Sequence, residues 1–212
     1  MLKWIFFDLG STLIDETDCI EYRIAATLKQ AGAPSKEEFY RQMEYFASVN
    51  MLPYKDTVKN FGLEKVGWVK ELEKLYPQSR EVLQKLQGSY RLGIIANQSA
   101  GTVERLVQFG IREYFDVIVS SAEEGVSKPD KRIFELALQR AGCTAAEACM
   151  VGDRLDNDIT PAAEMGMSTV WVRQGWFGMG NADLARLKPD FAVDGISEVV
   201  GIFENGKHER IN

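Results

Sequence analysis

Apolar residues follow two rhythms along this chain. Short continuous runs occur at residues 2–8 and in YRLGIIAN (90–97), YFDVIVSS (114–121), EACMVGD (147–153) and MSTVWVR (167–173), several ending in polar residues or glycine. Such runs predict strands buried on both faces of a parallel sheet. Between them, SREVLQKLQG (79–88), TVERLVQFG (102–110), KRIFELALQRAG (131–142) and ITPAAEMG (159–166) carry the three-and-four spacing of helices, most closed by a glycine suited to a C-cap. Alternating strand and helix argue an α/β fold with a mostly parallel sheet, and PDFAVDG (189–195) adds one more short strand.

From residue 16 to 78 the second rhythm takes over. CIEYRIAATLKQAG, EEFYRQMEYFASVNML and VGWVKELEKLY all repeat at helical spacing, which predicts several helices and no strand, with Trp68 in their core. An insertion directly after the first strand sits over the C-terminal edge of the sheet, where open α/β folds hold their ligands. The expected organisation is therefore a core of residues 1–15 and 79–212 with a helical cap of residues 16–78. The tail IFENGKHERIN is expected to hold a closing helix or turn and then to fray.

With 212 residues, 45% of them hydrophobic, the chain can bury a real core as one domain or one domain with a modest insertion. A net charge of -6 offers no basic field for nucleic acid or anionic lipid. No apolar stretch approaches the length of a membrane span, and the run at the N-terminus meets Asp8 before it could serve as a signal segment. Cys19, Cys143 and Cys149 are odd in number and lack CxxC spacing, so free thiols and a reducing cytoplasm are expected. His208, in the polar tail, is the single histidine, which excludes the usual histidine-based triads and multi-histidine metal sites unless the tail enters the cleft. No long heptad run marks an interface, and oligomeric state stays open.

Polar residues collect at the ends of four predicted strands. Asp8 and Thr12 follow the first, Asn97, Gln98 and Ser99 the second; Lys128 comes shortly after the third, and Asp153 and Asp158 follow the fourth. Strand ends of a parallel sheet converge on one cleft. Paired carboxylates and backbone oxygens suit a hard cation such as magnesium, and a lysine beside them neutralises a phosphoryl group. Taken singly, each acid reads equally as a turn former or helix cap.

As an ordered set, FDLGSTLID, IIANQS, SKPDKRIF and VGDRLDNDITPAAEMGM resemble the four motifs of the haloacid dehalogenase-like hydrolase superfamily. The resemblance implies a Rossmann-like parallel sheet with helices on both faces and an all-helical cap. It implies a magnesium-dependent hydrolase of small phosphomonoesters that works through an aspartyl phosphate. Asp8 matches the nucleophile, Thr12 the first-motif threonine, Lys128 the third-motif lysine, Asp153 the fourth-motif magnesium ligand and Asp158 its supporting acid. The backbone at Gly10 joins Asp8 around the metal, and Thr12, Asn97, Gln98 and Ser99 are the candidate phosphate-binding residues. Two positions depart from the pattern: Gly10 stands where phosphatases carry a second aspartate as general acid and base, and Ala96 where they carry a serine or threonine. Loss of a general acid commonly costs on the order of 10²–10⁴-fold.

The departures leave alternatives. One is an impaired member that binds a phosphorylated ligand or a protein partner; another is a metal-independent 2-haloacid dehalogenase with Arg23 as the cap arginine. Trp176 and Phe177, in RQGWFGMGNA, are expected at a pocket rim, in a protein interface or in a satellite core.

Overall fold

The computed structural model of the chain describes residues 1–204, so His208 lies outside the described residues. In chain order the elements are β1 (Trp4–Phe7), β2 (Ile14–Asp15), α1 (Thr17–Thr27), α2 (Lys36–Ser48), α3 (Pro53–Asn60), β3 (Lys74–Leu75), α4 (Ser79–Leu86), β4 (Arg91–Ala96), α5 (Thr102–Gln108), β5 (Val117–Ser120), α6 (Ser121–Glu124), α7 (Lys131–Ala141), β6 (Ala148–Gly152), α8 (Thr160–Glu164), β7 (Ser168–Val172), β8 (Phe191–Val193) and α9 (Val199–Glu204). Six strands form one sheet in the order β5-β4-β1-β6-β7-β8, and every neighbouring pair is parallel. This is a Rossmann-like α/β fold.

Strand alternation splits the core into two layers. Ile5 and Phe7 of β1 point to one face, where Ile94 and Val151 join side chains of α4, α5 and α9. Trp4 and Phe6 point to the other, against Ile95, Met150 and the α7 residues Ile133, Phe134 and Ala137. Burying each large apolar side chain contributes about 1.5–3 kcal/mol, so strands enclosed on both sides must be apolar almost throughout. The sheet grows from β1 through β4 to β5 and then crosses back to β6 on the opposite side of β1. That reversal opens a crevice beyond the C-terminal ends of β1, β4 and β6.

The segment between β1 and α4 has its own small core. Ile24 of α1, Phe39 and Met43 of α2, and Tyr54 and Val58 of α3 form one buried cluster. Two helix starts follow local chemistry: the Ser35 hydroxyl accepts from Glu38 N–H before α2, and Pro53 opens α3, where its missing N–H costs nothing.

Two expectations for this segment fail between residues 66 and 76. VGWVKELEKLY has helical spacing, yet it gives only a single tight turn at Lys70–Leu72 and then β3, which pairs antiparallel with β2 through Ile14–Leu75 and Asp15–Lys74. Tertiary bonds override the local period: Trp68 Nε1 donates to Glu73 at 2.7 Å, and Glu73 pairs with Arg105 of α5 at 2.8 Å, drawing the chain along the edge of the sheet domain. Trp68 is consequently 37% exposed and lies outside the cap core.

Candidate active site

β1 delivers Asp8 to the crevice, and the turn that follows decides what surrounds it. The Leu9 carbonyl accepts from Leu13 and Ile14 N–H, both at 2.9 Å, and Ser11 takes a left-handed φ of 54°. This curl folds the chain back so that Glu16 stands over Gly10. At the end of β4, the Asn97 carboxamide accepts from Lys128 N–H and donates to the Lys128 carbonyl, both at 2.8 Å. Beyond β6, the wide helical turn Leu155–Ile159 returns Asp158 toward Asp153.

Lys128 is the hub. Its buried Nζ donates to Asp158 Oδ1 at 2.5 Å, Asp8 Oδ1 at 2.6 Å and the Ile95 carbonyl at 2.8 Å, which uses all three ammonium hydrogens. Asp153 is fixed from behind by Trp171 Nε1, which donates to its carbonyl at 2.7 Å, and by Thr12 Oγ1 at 3.4 Å from Oδ1. Carboxylate oxygens of Asp8, Asp153 and Asp158 lie within 4.8 Å of one another.

The cluster carries excess negative charge. With all three carboxylates ionised, one ammonium leaves two uncompensated charges in a buried place, the charge of one divalent cation. Burial, then the charges of Asp8 and Asp158, push the Asp153 carboxyl well above the usual carboxylate range. Burial likewise raises Asp158, to about 6, although Lys128 opposes the rise. For Lys128 burial works downward, but Asp158 and Asp8 outweigh it and hold the ammonium above its ordinary value. An all-oxygen, net-negative set of this kind fits a hard divalent cation among Asp8, Asp153 and Asp158.

Gly152 is required for that geometry. A Cβ there would lie 2.5 Å from Asp158 Cγ and 2.6 Å from its Cβ, too near for any adjustment of the carboxylate tip alone. Gly152→Ala is expected to push Asp158 off Lys128 and to destabilise the protein by about 1–3 kcal/mol, the usual cost of overpacking. Chemical denaturation measures that cost, and the change in melting temperature on adding a divalent cation, compared between variant and native protein, measures the displaced acid.

Asp8, Gly10, Asn97, Gln98, Lys128, Asp153 and Asp158 all line one cleft of 140 Å³. Thr12 and Ser99 are not brought to its wall: Thr12 is fully buried behind Asp153, and the Ser99 carbonyl accepts from Thr102 Oγ1 at 3.5 Å. Ala96 is buried at the end of β4 and offers no side-chain donor. Glu16, Arg154 and Asn157 complete the lining with Phe177 and were not singled out by the sequence pattern. Ser11 Oγ donates to Glu16 at 3.1 Å, and burial, then the Asp8 charge, push the Glu16 carboxyl up to about 7.

A second, mostly apolar cavity of 240 Å³ adjoins this cleft, with Glu16 and Phe177 in the walls of both. Its other walls include Trp68, Tyr54 and Met43 from the insertion and Trp176 from the loop after β7. Trp176 packs against the cap cluster with its ring 5.8 Å from that of Tyr40, and Phe177 lies 4.5 Å beneath the Arg154 guanidinium. Both therefore form the pocket rim. Arg23 belongs to the same wall, its guanidinium 3.9 Å over the Tyr54 ring and its Nε on the Val66 carbonyl. Beside the rim, the Asn50 and Asn181 segments clasp each other: Asn50 Nδ2 donates to the Asn181 carbonyl and Asn181 N–H to Asn50 Oδ1, each at 2.9 Å.

Comparison with known proteins agrees with this arrangement. The chain is 34% identical over 194 residues to a glyceraldehyde 3-phosphate phosphatase of Methanothermobacter thermautotrophicus, covering 81% of this chain and 86% of that one. It is 29% identical over 210 residues to the pyrophosphatase PpaX of Bacillus velezensis, covering 93% and 94%. The same fold occurs in a predicted phosphoglycolate phosphatase from Haemophilus somnus, with a TM-score of 0.69, 22% identity and coverage of 95% and 98%. The family model for haloacid dehalogenase-like hydrolases matches residues 5–172, which spans the strand-end acids, the lysine and the inserted helices together, and the chain belongs to that family.

Proposed function

We propose that the protein is a magnesium-dependent phosphomonoester hydrolase that works through an aspartyl phosphate on Asp8. The observation that supports it is the buried group of Asp8, Lys128, Asp158 and Asp153 at one end of the sheet, closed over by a helical segment. The phosphatase and pyrophosphatase activities named for the relatives above support the same reading.

Asp8 supplies the carboxylate that attacks phosphorus, which splits a difficult hydrolysis into two displacements. Lys128 holds Asp8 in place through the 2.6 Å bond and brings positive charge beside the phosphoryl oxygens. Asp8, Asp153 and the Gly10 carbonyl would hold magnesium, with Asp158 supporting Asp153. When bound, magnesium neutralises charge on the transferring phosphoryl group. Gln98 lines the cleft, and its carboxamide NH2 would supply the donor missing at Ala96, its oxygen being held by Arg105. The Asn97 side chain acts by fixing the backbone of Lys128.

The division of the chain into a core of residues 1–15 and 79–212 and a cap of residues 16–78 is part of this proposal, with the β2–β3 ribbon as its neck. The 240 Å³ cavity between cap helices and the Trp176 loop then receives the leaving group, and its aromatic walls favour a small ester with an apolar or planar part. Free, buried Cys19 and Cys149 support a reducing, cytoplasmic setting. Among the described residues no helix is long and apolar enough to cross a membrane.

The test is phosphate release from p-nitrophenyl phosphate, with magnesium and after chelation. Turnover that falls at least about tenfold on chelation and returns with magnesium is the expected result. Equal rates under both conditions would remove the metal from the proposal.

A further inference from the structure

Gly10 leaves the reaction without the side chain that should protonate the leaving group, and the structure shows what fills the gap. A Cβ built on Gly10 would lie 2.5 Å from Glu16 Oε1 and 2.9 Å from both Glu16 Cδ and Oε2. The Glu16 carboxyl thus occupies the volume that a side chain at position 10 would claim. The backbone of Gly10 lies outside the left-handed region, so nothing in the chain's own conformation opposes a side chain there; one would have to displace the tip of Glu16.

Three further observations give Glu16 a chemical position. It stands at the first residue before α1, where a side chain often caps the helix, yet it makes no cap bond; its carboxylate accepts from Ser11 Oγ instead. Among the described residues lining the cleft, it is the one carboxyl outside the Asp8, Asp153 and Asp158 cluster. It also lines both the polar cleft and the apolar cavity beside it. With the phosphoryl group in the first and the leaving group in the second, the bridging oxygen falls between them, against Glu16.

We infer that Glu16 is the general acid and base of this enzyme, taking the part that position 10 cannot play. The inference rests on the phosphatase reading above. In the first step an Asp8 carboxylate oxygen bonds to phosphorus, the bond from phosphorus to the ester oxygen breaks, and Glu16 gives its proton to that oxygen to release an alcohol. In the second, Glu16 as carboxylate takes a proton from water while the water oxygen attacks phosphorus. Asp8 leaves as a carboxylate, phosphate is released, and Glu16 is again protonated.

Leaving-group chemistry tests this directly. Nitrophenolate departs without a proton, whereas an alkoxide does not. Glu16→Gln is expected to lower kcat/KM for β-glycerophosphate by on the order of 10²–10³-fold and for p-nitrophenyl phosphate by less than about tenfold. With the aryl ester the variant should give a burst of nitrophenolate, because the aspartyl phosphate forms and then lacks its base. Moving the carboxyl is the second arm: Gly10→Asp added to Glu16→Ala is expected to recover at least about tenfold of the activity on the alkyl ester. Equal fractional losses on the two esters, no loss on the alkyl ester, or no recovery in the double variant would each overturn the role. Native protein without Asp8-dependent release from either ester would overturn the phosphatase reading itself, and the acid with it.

Discussion

Asparagine in place of Asp8 is expected to abolish phosphate release, a loss of about 10⁴-fold or more, while leaving the metal-free protein at least as stable as the native one. Loss of a nucleophile removes the covalent route entirely, so no neighbouring group supplies a partial substitute. The carboxamide oxygen can still accept from Lys128, which keeps the cleft's geometry and makes the loss chemical. Stability moves the other way because the substitution takes one negative charge from a buried cluster that holds three carboxylates and one ammonium. Like charges at this range oppose each other strongly away from water. Phosphate release and a thermal melt in chelator measure the two halves. Turnover above about 1% of native would place the nucleophile elsewhere, and a melting temperature well below native would deny the charge excess.

Methionine in place of Lys128 should damage both properties. Breaking a buried ion pair by removing one partner costs about 3–5 kcal/mol, and here two carboxylates and the Ile95 carbonyl lose their donor together. At about 2–4 °C per kcal/mol for a chain of this size, the melting temperature should fall by roughly 10 °C. Catalysis should fall by about 10³-fold, since the charge beside the phosphoryl group and the orientation of Asp8 go at once. Magnesium should recover part of the lost stability in this variant, because a cation among Asp8, Asp153 and Asp158 compensates the same charge. A shift of less than about 2 °C would show that Lys128 is not holding the cluster together.

The strand ends were legible because physics constrains them doubly. A strand covered on both faces must be apolar, so the first polar residue after it marks both the end of the strand and the rim of the crevice; Asp8, Asn97 and Asp153 were all visible in this way. The path from residue 66 to 76 was not, because its helical period was a weaker influence than the Trp68 to Glu73 bond and the pairing with Ile14 and Asp15. Glu16 was hidden for a different reason. Nothing in its spacing from Gly10 marks it; only the reversal of the chain on the Leu9 carbonyl brings the two together. Gly10 taken alone suggests a missing group, and the turn that follows it supplies a carboxyl from six residues later.

The two-residue ribbon of β2 and β3 bears on how such a molecule could acquire new substrates. Because Asp15 and Lys74 lie opposite each other, the chain enters and leaves the inserted segment at one place, and what lies between can be exchanged at that ribbon once the Asn50–Asn181 and Glu73–Arg105 contacts are given up. Glu16 is the first residue beyond that junction. On the proposed division, a transplant cut between residues 15 and 16 would carry the proton donor away with the cap, so that the choice of ester and the means of expelling its alcohol are inherited as one module.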